Sequence, residues 1–150
     1  MNSLVIGCRT TENELLAAME ECSCSFPLVW IDARLHNVRA KLKSALQSIV
    51  DDSPGFDEIL FATGFCGNSI IGLESRDAAL VIPRTDDCTS LLLGGCKNKT
   101  KHLDCYFLTE GWLKGSGNIW NEYTRSVKRY GKEKADHIFS VMFAHYRRIA

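Results

Sequence analysis

Proline is scarce, 3 residues in 150, and excess charge is absent, with 18 basic residues against 18 acidic. A net charge of zero excludes recognition of nucleic acid or another polyanion by bulk attraction. No apolar run reaches 18 residues, so no membrane-spanning helix is expected. The opening eight residues, MNSLVIGC, lack a basic n-region and carry too short an apolar stretch for a secretory signal; a cytoplasmic location is expected. Two catalytic signatures are missing as well. There is no Gly-x-x-x-x-Gly-Lys-Ser/Thr phosphate loop and no Gly-x-Ser-x-Gly hydrolase elbow.

What remains is an ordinary globular composition, 45% hydrophobic and 24% charged, long enough for one domain with a real core. Residues 1–150 read as a single α/β domain, and the absence of a stop signal at the end suggests a fragment of something longer. Charge is unevenly spread. Residues 1–96 carry 13 acidic and 7 basic side chains, a balance of −6, and residues 97–150 carry the opposite balance of +6. That asymmetry reads either as solvated surface or as a docking face for an acidic partner. The seven cysteines are an odd and high number. With no mark of secretion, they point to reduced thiols, metal ligands or a redox role rather than to a disulfide framework.

Short apolar runs alternate with helical patterns. Leu4–Ile6 reads as a first strand. Thr11 and Glu14 have capping-box spacing and open a helix with Leu15, Leu16, Met19 and Cys22 inward. Pro27–Ile31 is a second strand, followed by a helix with Val38, Leu42, Ala45, Leu46 and Ile49 on one stripe. Glu58–Thr63, Ala79–Ile82 and Leu103–Leu108 read as strands three, four and five. Asp87 caps a short helix, Cys88–Leu93, stopped by Gly94 and Gly95. Two helices close the chain, the first between Asn118 and Gly131. The second carries a stripe of Ala135, Ile138, Phe139, Met142, Phe143, Tyr146 and Ile149. Strands alternating with helices predict a mostly parallel, doubly wound, Rossmann-like sheet of about five strands, with helices on both faces and two C-terminal helices. The runs LVI, LVWI, ILFA and ALVI are continuous, as in strands buried on both faces.

In open α/β sheets, ligands bind beyond the carboxyl ends of the strands, where strand order reverses. Strand one ends in Gly7-Cys8, strand three in Gly64-Phe65-Cys66-Gly67-Asn68, and strand four in the segment Pro83–Cys88. Strand five ends in Thr109-Glu110-Gly111-Trp112. Cys8, Cys66 and Cys88 therefore converge at one edge, although 58 and 22 residues separate them in the chain. Thiolates are soft ligands for zinc or an iron–sulfur cluster. Arg84 nearby favours a thiolate, and Gly64 and Gly67 permit a tight turn around Cys66. Packing is the competing explanation for any single cysteine. Cys22 and Cys105 read as core, and Cys96 as an exposed loop thiol or a fourth ligand. The histidines, His36, His102, His137 and His145, show no ligand spacing and read as surface or satisfied core.

Asp32 ends strand two where a ribose-binding acid would lie in a dinucleotide-binding domain. The first turn, however, lacks Gly-x-Gly-x-x-Gly and places Glu12 and Glu14 toward the pyrophosphate, so that reading fails. A cysteine nucleophile with a histidine base finds no histidine predicted at the carboxyl edge. Asp86 and Asp87 are candidates for acid–base work or for capping.

Three blocks carry a resemblance: Phe65–Leu73 (FCGNSIIGL), Ile82–Gly94 (IPRTDDCTSLLLG) and Tyr106–Trp112 (YFLTEGW). They resemble the signature blocks of a domain family of unknown function found in methanogens and other anaerobic microbes. Cys8, Cys66 and Cys88 fall where the family pattern has cysteine. Genes of that family often lie beside corrinoid-dependent methyltransferases. The resemblance thus implies a setting in methyl-group metabolism, with a corrinoid protein or methyltransferase as partner. Arg9 stands where the family often has glycine, which would add positive charge beside the site. Glu110 replaces the proline usual before Gly-Trp, and family members commonly run longer.

The reading that follows is a metal or iron–sulfur centre held by Cys8, Cys66 and Cys88. Gly67, Asn68, Arg84, Asp87, Thr109, Gly111 and Trp112 line the ligand pocket. Zinc would support thiolate methyl chemistry and iron would support electron delivery to a corrinoid. The alternative is a metal-free binding or accessory module that docks on a methyltransferase.

Overall fold

A central strand buried along its whole length organises the sheet. In the computed structural model, which describes residues 2–95, 102–115 and 117–150, β1 (Ser3–Cys8) has six buried residues in succession. It lies between β2 (Leu28–Ile31) and β3 (Glu58–Ala62), and β4 (Ala79–Val81) adds to β3. All four strands are parallel, in the order β2-β1-β3-β4. The fold is α/β with a parallel, Rossmann-like sheet, and the order reverses between β1 and β3.

Side-chain alternation along β1 sends Leu4 and Ile6 to one face and Val5 and Gly7 to the other. On the first face α2 (Arg39–Asp51) lays down Leu42, Leu46 and Val50, spaced by four residues. These close a core with Leu4, Ile6, Ile31, Ile59, Phe61 and Ile70. On the second face lies α1 (Glu12–Glu21), whose Leu15 takes the room left by the missing side chain of Gly7. A Cβ on Gly7 would lie 2.5 Å from Leu15 and 2.7 Å from the Trp30 ring. This face is more thinly covered, because no residue of α1 is buried. Leu16 and Cys22, expected inward, are exposed, as is Val38. Leu46→Ala should therefore cost about 2–5 kcal/mol in urea denaturation, and Leu16→Ala less than about 0.5 kcal/mol. Equal costs would mean that α2 is not the packed face.

After β4 comes the short α3 (Cys88–Leu92), capped as expected by Asp87, whose Oδ1 accepts the Ser90 N–H and hydroxyl, each at 2.8 Å. The fifth strand departs from expectation. Only Cys105–Tyr106 (β5) is extended, and it does not join the main sheet. It pairs in parallel with Arg148–Ile149 (β6) as a separate two-stranded ribbon. A short helix, α4 (Glu110–Lys114), follows directly, with Thr109 as its N-cap.

The last two helices are α5 (Ile119–Tyr130), capped by Asn118, and α6 (Lys132–Phe143). Gly131 joins them at φ +83°, a left-handed value suited to glycine. Ala135 is buried, and Phe139 and Phe143 are half-buried. Phe139 packs edge-on against Tyr123 at 5.3 Å, and Phe143 edge-on against Tyr106 at 5.0 Å. The helix stops at Phe143 instead of running to the end, so Ile149 is exposed on β6 and Met142 is exposed near the helix end. No helix among the described residues is long and apolar enough to cross a membrane.

Candidate metal centre

The topology delivers side chains to the sheet's carboxyl edge from four successive segments. β1 ends at Cys8. A 3-10 turn after β2, Ala33–Asn37, carries His36. The loop after β3 carries Cys66, and α3 after β4 begins at Cys88. Cys8 and Cys88 gather with His36 at the point where strand order reverses, and Cys66 stands beside Cys88 but outside that mutually close group. Cys66 Sγ stands 3.9 Å from Cys88 Sγ. Cys8 Sγ stands 3.0 Å from His36 Nε2. The ligand atoms of Cys8, His36 and Cys88 lie within 4.8 Å of one another, a group able to hold a metal ion.

His36 is the residue that reading the sequence missed. It has no ligand spacing, but it follows β2 in the same way that the cysteines follow β1, β3 and β4. Carrying the strand-end rule to the second strand would have found it.

Two local features bring the loops together. Gly64 lets the segment after β3 press against the main chain of Asp87; a Cβ there would lie 2.3 Å from the Asp87 carbonyl carbon. The segments are then joined by Phe65 N–H to Thr85 O and Cys66 N–H to Asp86 O, each 2.8 Å. Cys66 itself sits at φ +44°, a left-handed value uncommon outside glycine, and Asn68 follows at +64°. Backbone strain of this kind concentrates at functional sites. Gly64→Ala should force the two loops apart, cost about 1–3 kcal/mol and lower metal content. Thermal denaturation and elemental analysis of the variant would check this, and wild-type values on both would refute it.

Contacts among the thiols favour the charged form on Cys88 and oppose it on Cys8 and Cys66. Cys88 is held far below the ordinary thiol range by hydrogen bonds from Cys66 and Cys8; the Gly64 N–H and the charge of His36 act in the same direction, and burial opposes them. Cys66 and Cys8 are pushed up in turn, first by their hydrogen bonds to Cys88 and then by burial. Thr10 donates its hydroxyl to Cys8 Sγ at 3.0 Å. Cys8 is fully buried and forms the back of the site.

A cavity of about 320 Å³ opens in front. Its lining includes His36, Cys66, Asp87 and Cys88 on the sheet side, and Thr109, Trp112, Phe107 and Tyr146 on the C-terminal side. Cys105, read as core, is buried but also borders this space. Among the residues expected to line a pocket, Asp87, Thr109 and Trp112 do so. Gly67, Asn68 and Arg84 are exposed and do not. Gly111 is buried against main chain: a Cβ there would lie 2.1 Å from Arg9 O, and Thr109 donates its hydroxyl to Thr10 O beside it. Arg9, expected to add charge at the site, stacks over the Trp30 ring at 4.9 Å and pairs with Glu12. Glu110 pairs with Lys114 at 2.7 Å. Cys96 lies outside the described residues.

The model of the family described as Protein of unknown function (DUF1638) matches residues 30–150. The chain belongs to the DUF1638 family. No curated protein and no solved structure matches it. The matched stretch of this DUF1638 member contains His36, Cys66 and Cys88 and begins after Cys8.

Proposed function

We propose that this protein binds one thiophilic metal ion through Cys8, Cys66 and Cys88, with His36 as a fourth donor, and that the centre works in corrinoid-linked methyl-group metabolism beside a methyltransferase or corrinoid protein. The observation that supports it most is the spacing of the donors. Two thiolates on one zinc ion, each about 2.3 Å from the metal, stand about 3.8 Å apart along a tetrahedral edge. Cys66 and Cys88 stand at 3.9 Å. In a four-iron cluster each cysteine binds a different iron, and the sulfurs are set farther apart. The donor set therefore favours a single ion, and zinc suits three sulfurs and an imidazole.

A purely structural zinc site is closed, whereas this one borders a cavity through His36, Cys66 and Cys88. A molecule in that cavity can reach a metal-bound thiolate. Zinc holds such a sulfur deprotonated at neutral pH while leaving it a nucleophile, which is the chemistry needed to accept a methyl group. The reading that iron delivers electrons to a corrinoid keeps the same ligands, and the 3.9 Å spacing argues against a four-iron cluster but not against two cysteines on one iron.

The test is metal content after purification without oxygen, followed by reconstitution. One zinc per chain and no visible colour is the expected result. Iron and sulfide in cluster proportion would replace zinc by the redox reading. A protein that takes up neither metal would leave the metal-free accessory module.

A further inference from the structure

The sulfurs of Cys66 and Cys88 face each other at 3.9 Å, and both border the cavity. The segments that carry them are held in register by the two main-chain hydrogen bonds linking Phe65 to Thr85 and Cys66 to Asp86. A disulfide requires its sulfurs at about 2.05 Å and tolerates little error in the backbone. Here the loops are already joined, and the two sulfurs have about 1.9 Å left to close. Cys8 is differently placed. It is fully buried, contacts the Thr10 hydroxyl and His36 Nε2 at 3.0 Å each, and does not border the cavity. An oxidant entering the cavity meets Cys66, Cys88 and Cys105, and of these Cys66 and Cys88 are the pair whose sulfurs face each other at 3.9 Å.

We propose that Cys66 and Cys88 form a reversible disulfide with each other, and that this bond switches the metal site off. The oxidant is a hydroperoxide. Cys88 sulfur attacks one peroxide oxygen and the O–O bond breaks. The other oxygen leaves as alkoxide or hydroxide and takes a proton from solvent. Cys88 is now a sulfenic acid. Cys66 sulfur attacks it, the S–O bond breaks, and the hydroxyl departs as water with the Cys66 proton. The pair loses two electrons and the peroxide gains them. A dithiol restores both thiols by two exchanges. A disulfide sulfur is no thiolate ligand, so oxidation removes two of four donors and leaves Cys8 and His36, too few to retain the ion. The metal-release half of this inference rests on the proposed function; formation of the bond does not.

Metal-free protein, reduced and then treated with one equivalent of hydrogen peroxide, should lose two of its seven thiols. Alkylation, digestion and mass spectrometry should show the Cys66 and Cys88 peptides joined, two hydrogens lighter than their sum, and dithiothreitol should separate them. Cys66→Ser should form no such link and should accumulate oxidised Cys88. Both residues recovered alkylated, or bonds confined to other pairs such as Cys8 with Cys88, would overturn the inference. Zinc-loaded protein under the same oxidant should release one ion per disulfide to a chromogenic chelator. Zinc that stays bound to cross-linked protein would overturn the switch. A chain that forms the bond but never takes up zinc sinks the proposed function and its switch, leaving only the disulfide. A chain that holds zinc but forms no bond sinks this inference alone.

Discussion

Cys88→Ser should strip the bound metal from an otherwise folded protein. Four-ligand zinc sites contribute about 10–16 kcal/mol of binding. Spread over four donors, that is about 3 kcal/mol each, or on the order of a hundredfold in affinity. Cys88 should exceed this average. Its sulfur stands 3.9 Å from Cys66 Sγ, and interaction with the other thiols and the Gly64 N–H lowers its pKa, so it takes the charge more readily than they do. A serine hydroxyl supplies neither the charge nor the soft sulfur. We expect competition against a chelator of known affinity to show a loss above that average, about a thousandfold or about 4 kcal/mol. The urea midpoint of the metal-free variant should stay close to that of the metal-free wild type, because the core on the α2 face is elsewhere. Cys22→Ser is the internal control, since that thiol is exposed just past the end of α1 and should change nothing. Wild-type affinity in Cys88→Ser would sink the metal centre as drawn, whatever the other variants did.

The parts of this fold legible in the sequence are those settled by local chemistry. β1 and β3 are continuous apolar runs and form where expected, and the Asp87 and Asn118 caps hold helix ends through side-chain hydrogen bonds to main-chain N–H groups. The capping box at Thr11 looked equally strong, but Thr11 turns its hydroxyl to Cys8 O at 3.3 Å, and a 3-10 turn occupies the start of the helix. β5 failed for a reason of range. Its two paired residues find their partners at Arg148 and Ile149, more than forty positions later, and no local pattern announces such a pairing. The end of α6 at Phe143 has neither glycine nor proline to mark it. Cys22 lay on the right stripe of α1, yet a helix that buries no residue has no inside for it to face.

The candidate site was legible for a different reason. Parallel order fixes which strand ends share an edge, so three cysteines far apart in sequence converge once the strands are known. Orientation was less legible. Gly111 belongs to the same neighbourhood as Trp112, but it is there to let α4 approach the main chain at Arg9. Arg84 follows β4 as closely as Asp87 does, yet it is exposed and off the cavity, and the groups that hold Cys88 charged are Cys66, Cys8, Gly64 and His36. Segment position follows from topology; the direction of a side chain follows from packing that a strand-end rule does not contain.

Zinc affinity should rise about a hundredfold for each unit of pH near neutrality. Metal binding requires deprotonated cysteines, so every thiol still protonated in the metal-free protein releases one proton when the ion enters. Cys88 is lowered far enough to be a thiolate already, while Cys8 and Cys66 are raised and keep their protons. Two thiol protons leave per ion, apart from any proton that the His36 imidazole gives up. The sign follows directly: acid opposes binding because protons compete with zinc for Cys8 and Cys66, and alkali favours it. Three independent thiols at their ordinary value would release three, a thousandfold per unit. One proton would mean that a second thiol is also charged without metal. Chelator competition across a pH series gives the slope, and calorimetry in buffers of different ionisation enthalpy counts the protons independently. His36→Ala should bind more weakly but keep a slope of two, which separates thiol protons from any carried by the imidazole. A slope of three in both proteins would show that Cys88 is an ordinary thiol. The hydrogen bonds from Cys66, Cys8 and the Gly64 N–H would then not be what prepares the site for a cation.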